Sequence, residues 1–267
     1  KITSTLDCQQ LQQNICSVCD WASKNRLSLN KDKCFAMTYS RKKENIIFPY
    51  RIENSLINRT ERIKDLGILF DTKLQFIEHI HEMVSKSFRT YGFIYRNCRD
   101  FTYTRTLCSL FFSLVRSQLE YGALIWFPIY QIHIQHIEHV QRVFFKFLCF
   151  LLDGTYPARG YDHSALLSRF DFLPLHLRRI IIIIKFLIHL INNKIDCPLL
   201  LEQLNFLIPR INTRQINIFY CESSRTNVLV RSPIALMCEL FNDIAAYCDI
   251  YSDCIKFITN CIKNHFC

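Results

Sequence analysis

The stretch that decides the fold is IHIQHIEHVQRVFFKFLCFLL, residues 132–152. Its apolar side chains recur every three or four residues, so they form one continuous stripe along a helix: Ile134, Ile137, Val140, Phe144 and Leu148. No glycine or proline interrupts the stretch. The pattern therefore predicts a long amphipathic helix, Ile132 to Leu152, with one face buried against neighbouring elements.

The same helical spacing continues on both sides of this stretch. Upstream it predicts a helix from Phe76 onward and another at Leu107 to Glu120. Downstream, after a loop rich in glycine and proline, it predicts an amphipathic helix at Leu175 to Asn192. Prolines separate the last segments: Pro198, Pro209 and Pro233. Most of the chain is therefore predicted to be helical.

The first 75 residues combine a helix with strands. Apolar residues at helical spacing predict a helix at Asp7 to Lys24 with one buried face, formed by Leu11, Ile15, Val18 and Ala22, and Asp7 is the candidate N-cap. Three segments rich in strand-forming residues follow: Cys34 to Tyr39, Tyr50 to Ile57 and Ile63 to Phe70. We therefore expect a mostly helical α+β fold with a small antiparallel sheet near the N-terminus.

Charge is unevenly distributed along the 267 residues. The net charge is +10, and the first 150 residues hold 21 Lys and Arg against 13 Asp and Glu, which leaves +8 in that part. A basic half favours a nucleic-acid partner because phosphate attraction does not depend on base sequence. The alternative is a soluble basic protein without such a partner, so charge is supporting information only.

The cysteine content and the apolar runs exclude two other classes of protein. Fourteen cysteines lie within long apolar segments, without a preceding signal peptide, which favours buried, reduced thiols in an intracellular protein. The run Ile180 to Ile184 is flanked by Arg179 and Lys185, so it is too short to span a bilayer. We expect no membrane partner.

Several motifs occur in an order that resembles one family. They are Trp21, Asn25-x-Leu27-x-Leu29-Asn30, Lys33-Cys34, Lys64 to Asp71, Leu119-Glu120-Tyr121-Gly122-Ala123-Leu124-Ile125-Trp126-x-Pro128, Ile137-Glu138-x-Val140-Gln141-Arg142-x-Phe144, Leu173-Pro174-Leu175 with Arg178-Arg179, and Arg231-Ser232-Pro233 ahead of Asn242. This series is similar to the non-LTR (LINE-type, jockey-like) retrotransposon reverse transcriptases, downstream of their catalytic Tyr-x-Asp-Asp box. The resemblance covers nearly the whole chain.

The resemblance implies three regions and an activity. Residues 1–75 would be the end of a polymerase palm with a primer-grip-like hairpin, residues 76–150 a helical thumb-like module, and residues 151–267 a helical C-terminal extension. The family enzyme is an RNA-directed DNA polymerase that binds a primer-template duplex and uses Mg²⁺ held by aspartates.

This chain departs from that family in one important respect, because it contains no Asp-Asp dipeptide. The resemblance implies that the catalytic box and the earlier metal-binding Asp lie before Lys1. We therefore expect a truncated fragment that needs no metal or other cofactor, holds a duplex but does not polymerise on its own, and has the missing N-terminal reverse transcriptase part as a possible partner.

The resemblance also suggests one catalytic candidate. Lys33 stands where such enzymes carry a palm lysine that stabilises the pyrophosphate leaving group. The alternative is an ordinary solvated cation within Lys31-Asp32-Lys33.

Two groups of nucleic-acid-binding candidates follow from the resemblance and from charge. Tyr50, Arg51, Lys64 and Gly67 would belong to the primer-grip-like hairpin, although Gly67 is equally consistent with a strand bulge. The helical module begins with five cations: Lys86, Arg89, Arg96, Arg99 and Arg105. They are interleaved with Phe88, Tyr91, Tyr95 and Tyr103, a mixture suited to tracking a duplex backbone. The alternative is a solvated helix face.

Other constellations point only weakly to function. Cys16-x-x-Cys19 has no second pair at zinc-finger spacing, and Cys254, Cys261, His265 and Cys267 are wrongly spaced for a zinc knuckle. His133, His136 and His139 are consistent with a solvated helix face. We expect no metal site. The competing hypothesis for the whole chain is a helical interaction protein, or a non-functional element remnant, without a nucleic-acid role.

Overall fold

The computed structural model describes residues 1–40, 42, 44–101, 103–158, 160–208, 217–221, 232–251 and 255–266. Contacts divide the chain into two compact units, Lys1–His79 and Ile80–Cys267. The described residues are mostly helical, with a few small sheets confined to the first unit. The predicted mostly helical α+β class is confirmed at this level.

The first unit opens with helix α1, Thr5–Lys24. Its N-cap is Ser4, whose hydroxyl accepts the backbone N–H of Asp7, while the Asp7 carboxylate accepts the N–H of Ser4 at 2.8 Å. This reciprocal pair is a capping box, with the carboxylate also placed favourably at the positive end of the helix dipole. The prediction that Asp7 itself is the N-cap was therefore wrong by one turn.

The predicted buried face of α1 is only partly buried, because two of its four residues, Leu11 and Val18, are exposed. Only Cys8 and Ala22 are buried in this helix, whereas Leu11 is 39% and Val18 is 55% exposed. The periodicity correctly indicated a helix with an apolar stripe, but no other described element covers most of that stripe.

Short strands follow a 3₁₀ turn at Lys31–Lys33. They are β1 (Phe35–Ala36), β2 (Arg51–Ile52), β3 (Ser55–Leu56), β4 (Asn58–Arg59), β5 (Arg62–Asp65) and β6 (Ile68–Asp71). They form three two-stranded sheets: parallel β1–β4, antiparallel β2–β3 and antiparallel β5–β6. The single antiparallel sheet of three longer strands was therefore a wrong prediction, because turns divide two of those segments into hairpins.

The β5–β6 hairpin closes through a two-residue turn. Asp65 pairs with Ile68 across it, and both turn residues have positive φ, 44° for Leu66 and 86° for Gly67. This geometry is that of the type I′ turn, which matches the twist of a hairpin. The pairing holds no extra residue, so Gly67 is a turn residue and not a bulge.

The β2–β3 hairpin is attached to α1 by one side chain. The amide of Gln12 accepts the backbone N–H of Arg51 at 2.8 Å and donates to the Arg51 carbonyl at 2.9 Å. Gln12 therefore satisfies both backbone groups of an edge residue, as a neighbouring strand would.

The following helices are α2 (Ile77–Asn97), α3 (Thr104–Leu110), α4 (Ser117–Glu120), α5 (Ala123–Trp126), α6 (Gln131–Asp153), α7 (His163–Phe170), α8 (Leu175–Ile191), α9 (Pro198–Leu201), α10 (Pro233–Ile244) and α11 (Ile255–Phe266). A π-helical segment, Phe111–Arg116, joins α3 to α4 without a break. The predicted helix at Leu107 to Glu120 is thus one continuous helical segment with a π turn, a local irregularity common near functional or strained positions.

Helices α2 and α6 pack side by side in parallel. Ring contacts join residues in the same order along both helices: His81 with His133 and His136, Phe88 with His139, Tyr91 with Phe144, and Tyr95 with Phe147. The apolar stripe of α6 is buried, since Ile137, Val140, Phe144 and Leu148 are fully buried, and Phe144 of this stripe contacts Tyr91 of α2. Its burial confirms the predicted amphipathic helix.

Helix α8 is the centre of a second apolar cluster. Its isoleucine run is almost entirely buried against α10 and α11, through residues such as Met237, Phe241 and Ile262. The side chain of Asn242 bonds the backbone N–H groups of Ile218 and Phe219, each at 3.0 Å, and so fixes the described segment 217–221 on α10. No helix in the described part of the chain is long and apolar enough to span a membrane.

Candidate nucleic-acid interface

Helix α2 carries a basic face. Lys86, Arg89 and Arg96 follow one another at offsets of three and seven residues, so they lie on one side of the helix, and all three are exposed. Phe93 lies on the same side with 56% of its surface exposed, and Glu82 is the neighbouring carboxylate towards the N-terminus. We call Lys86, Arg89, Phe93 and Arg96 the α2 basic face.

The basic surface continues past the end of α2. Arg99 lies in the connection to α3, Arg105 lies in the first turn of α3, and both are exposed. Tyr103, between them, is 77% exposed. This connection therefore presents two cations and a free aromatic ring to solvent.

Three of the aromatic residues that the sequence placed among these cations have a different role. Phe88, Tyr91 and Tyr95 face α6, where their rings contact His139, Phe144 and Phe147 respectively. Burial raises the pKa of the Tyr91 phenol. These rings hold α2 on α6 because they fall on the apolar stripe of α2, and they are not available to a nucleic acid.

The five cations from Lys86 to Arg105 differ in pairing from four arginines that follow them in the chain. Arg116, Arg169, Arg178 and Arg179 each pair with a carboxylate. Among the described residues, none of the five cations has a carboxylate partner within ion-pair distance, and all five are exposed. Their charge is therefore not neutralised within the part of the protein that the structure describes.

The candidates of the first unit lie on separate elements. Lys33 is exposed at the end of the 3₁₀ turn, Arg51 is exposed on β2, and Lys64 and Gly67 are exposed on the β5–β6 hairpin. Tyr50 precedes β2, half-buried, where burial and a hydrogen bond with the Cys8 thiol raise its pKa to about 12. The structure thus joins Lys64 and Gly67 on one hairpin but places Tyr50 and Arg51 on another.

The motifs that carry the family resemblance meet in a buried polar network. The Arg178 guanidinium pairs with the Glu120 carboxylate through two nitrogens. The Glu138 carboxylate accepts the backbone N–H groups of Leu175 at 3.1 Å and His176 at 2.6 Å, which are at the N-terminus of α8. Gln141 donates to the Leu173 carbonyl at 3.1 Å. These residues connect α4, α6 and α8, so their role in this structure is architectural.

Three signals were missed in the sequence. Phe93 completes the α2 basic face, and its offset of seven residues from Lys86 would have placed it there. His81 lies against His133 and His136, with ring centroids 5.8 and 5.6 Å apart. Arg142 lines the same cavity as these histidines. His81, the α6 histidines and Arg142 come together only through the packing of α2 on α6, so the sequence alone does not show this cluster.

The described residues do not fit the Mg²⁺ that the resemblance implies. Within the described ranges, no three His, Cys, Asp or Glu side chains form a set that could hold a metal ion. Cys16 and Cys19 are free thiols on α1. Cys254 and Cys267 lie outside the described residues.

Comparison with known proteins gives no match, since no protein-family model, curated protein or solved structure is significantly similar to this chain.

Proposed function

We propose that this chain is the duplex-holding part of an RNA-directed DNA polymerase of the non-LTR retrotransposon type. In this proposal the first unit corresponds to the end of the palm, and the helices around α2 and α6 correspond to the thumb-like module. The chain binds the product duplex of a primer and its template. Its described residues hold no group of side chains that could bind the catalytic metal ions, so in this proposal nucleotide addition depends on another polypeptide segment.

One observation carries the proposal: five cations, from Lys86 to Arg105, are exposed on adjoining elements and have no carboxylate partner among the residues that the structure describes. Positive side chains that stay unpaired are free to contact phosphates and release the counterions bound there. A cation already paired with a carboxylate must first give up that partner.

The exposed aromatic rings fit the same function. Phe93 lies within the α2 basic face, and Tyr103 lies between Arg99 and Arg105. An aromatic ring beside phosphate-binding cations can pack against a sugar or an unpaired base, an interaction that tolerates any sequence. We therefore expect binding without strong sequence preference.

The decisive experiment is a titration of the whole chain with a fluorescently labelled RNA–DNA duplex that has a recessed 3′ end. Anisotropy is measured over a series of salt concentrations at pH 7.5. We expect the affinity to fall linearly on a log–log plot, with a slope near −0.9 for each phosphate contact, or about −4.5 if all five cations engage. At about 20 mM salt the screening of charges is weak, so electrostatic binding is strong. An absence of binding even under this condition would overturn the proposal.

A second candidate function, that of a helical interaction protein that associates with a second copy of itself, is favoured by the exposed stripe of α1. Leu11 and Val18 lie one above the other on that helix, and Trp21 beside them is 59% exposed. Exposed apolar patches on a helix favour association. Sedimentation velocity of the wild-type chain and of the V18S/W21S variant tests this candidate. It predicts concentration-dependent association of the wild type that the variant loses, and a strictly monomeric wild type would contradict self-association.

A further inference from the structure

The groove between α2 and α6 ends in a cluster of imidazoles. His81 of α2 lies against His133 and His136 of α6, and His139 follows on the same side of α6. These four side chains line a cavity of about 640 Å³ with Ile132, Gln135 and Arg142. The cavity is therefore bordered by imidazole nitrogens from two helices, by one guanidinium and by apolar surface that includes Ile132.

Basic side chains extend from this cavity along both helices and form two rims. On α2, helical spacing carries the line from His81 through Ser85 to Arg89. On α6, His139, Arg142 and Lys146 follow at offsets of three and four residues, and both cations lower the pKa of His139. Because α2 and α6 run parallel, both rims lead in the same direction from the imidazole cluster. We call this feature the histidine groove.

We propose that the histidine groove binds the phosphodiester backbone of a nucleic-acid strand, and that this binding becomes stronger in acid. The proposal rests on the proposed function and extends it from α2 to α6. In this proposal the imidazoles make binding depend on pH, a role that the cations of the α2 basic face do not have.

The charges that face the groove determine the pH response. They come from His81 and Arg89 on α2, from His133, His136, His139, Arg142 and Lys146 on α6, and from the Tyr130 phenol, whose ring lies 6.2 Å from that of His133. The carboxylates of the same helices lie elsewhere. Glu138 bonds to the N-terminus of α8, Glu78 pairs with Arg62, and Glu82 belongs to the solvent side of α2.

Two of the groove imidazoles, those of His133 and His139, have a lowered pKa, which favours their neutral form at pH 7.5. Burial, His81 and His136 lower the pKa of His133, and burial, Arg142, His136 and Lys146 lower that of His139. The His133 and His139 imidazoles therefore take up a proton at a pH below 6.5, the ordinary pKa of a histidine. A bound phosphate favours the protonated form, so binding takes up protons and its affinity rises as the pH falls through that window.

Duplex affinity at pH 7.5 and pH 5.5, at constant ionic strength, tests the inference. We expect the wild type to bind about tenfold more tightly at pH 5.5, since each imidazolium–phosphate contact is a charge-assisted hydrogen bond. The H133Q/H136Q/H139Q variant should lose this gain. The matched control H189Q/H265Q, altered outside the groove, should retain it. An equal gain in both variants would overturn the inference.

A second variant keeps the test independent of any loss of stability. In H136K/H139K the two positions are charged at both pH values. We expect this variant to bind at pH 7.5 about as tightly as the wild type does at pH 5.5, and unchanged affinity at pH 7.5 would contradict the inference. If the wild type binds duplex at pH 7.5 but shows no histidine-dependent gain, only this inference fails. If neither the wild type nor H136K/H139K binds at either pH, the proposed function fails with it.

Discussion

The buried carboxylate of Glu138 lies 3.9 Å from the guanidinium of Arg179, a side chain with no exposed surface. Glu138 also bonds two backbone N–H groups at the start of α8. Within the described residues, the three guanidinium nitrogens of Arg179 have no hydrogen-bond partner, so Glu138 is the nearest compensation for its charge. This single carboxylate therefore connects α6 to α8 and stabilises an enclosed cation.

Replacing Glu138 by Gln should destabilise the second unit strongly. The neutral amide removes the nearest counter-charge of the buried Arg179 and leaves only the more distant Glu120 carboxylate, and breaking a buried ion pair typically costs about 3–5 kcal/mol. Urea unfolding followed by circular dichroism measures the loss. The control is Glu82→Gln on the exposed side of α2, which should change the unfolding free energy by less than about 0.5 kcal/mol. Equal unfolding midpoints for E138Q and the wild type would refute this role.

The same carboxylate should make stability depend on pH in the acid range. Burial alone would raise the pKa of Glu138, but His163, His176, Arg179 and the amide of Leu175 together lower it from 4.5 to about 2. A lowered pKa in the folded state means that the stabilisation is complete above about pH 4.5 and is lost as the pH falls towards 2.

Unfolding free energies at pH 5 and pH 2.5 measure this effect. We expect the wild type to lose about 2–3 kcal/mol more than E138Q over that interval, since each pKa unit corresponds to about 1.4 kcal/mol. Other acidic groups titrate in both proteins and cancel in the comparison. The same acid loss in both proteins would assign the pH dependence to carboxylates other than Glu138.

In the type I′ turn of the β5–β6 hairpin, substitutions at two neighbouring positions should change stability in opposite directions. Leu66 has positive φ, which is strained for leucine, and Asn-Gly is the preferred pair in this turn. Leu66→Asn should therefore stabilise the hairpin by about 0.5–1 kcal/mol, and Gly67→Ala should destabilise it by about 1 kcal/mol or more. Hydrogen exchange of the amides of β5 and β6 measures both changes. Slower exchange in G67A than in L66N would contradict the turn assignment.

Helix α6 shows what the sequence predicts well. Its observed range, Gln131–Asp153, extends the expected Ile132 to Leu152 by one residue at each end. The apolar stripe is long and uninterrupted, so local periodicity was sufficient. In α1 the same reasoning located the helix but not its environment, because periodicity shows that a helix has an apolar face without showing what covers that face.

The strands were less predictable because their pairing depends on distant contacts. The turn within residues 50–57 includes Glu53, at a φ of 52°, and no glycine or proline marks it. The parallel pairing of β1 with β4 joins residues that no local pattern relates. Twist, packing and long-range pairing determine such short strands more than propensity does.

The candidate interface was predictable only where helix geometry decides exposure. The cations at Lys86, Arg89 and Arg96 are exposed on one side of α2, as the spacing indicated. Tyr91 and Tyr95 fall on the opposite, apolar stripe, and counting residues from Val84 would have placed them there. The histidine groove depends on the packing of α2 against α6, so the sequence of either helix alone does not reveal it.

Duplex binding through the α2 basic face is tested by comparing two triple variants. K86A/R89A/R96A removes the α2 basic face, while K194A/K256A/K263A removes the same formal charge at positions outside α2 and α3. We expect the first variant to bind more weakly and its plot of log affinity against log salt to become shallower by about 2.7, the slope of three lost phosphate contacts, while the control keeps the wild-type slope. Equal slopes in both variants would show that net charge, and not this face, binds the duplex.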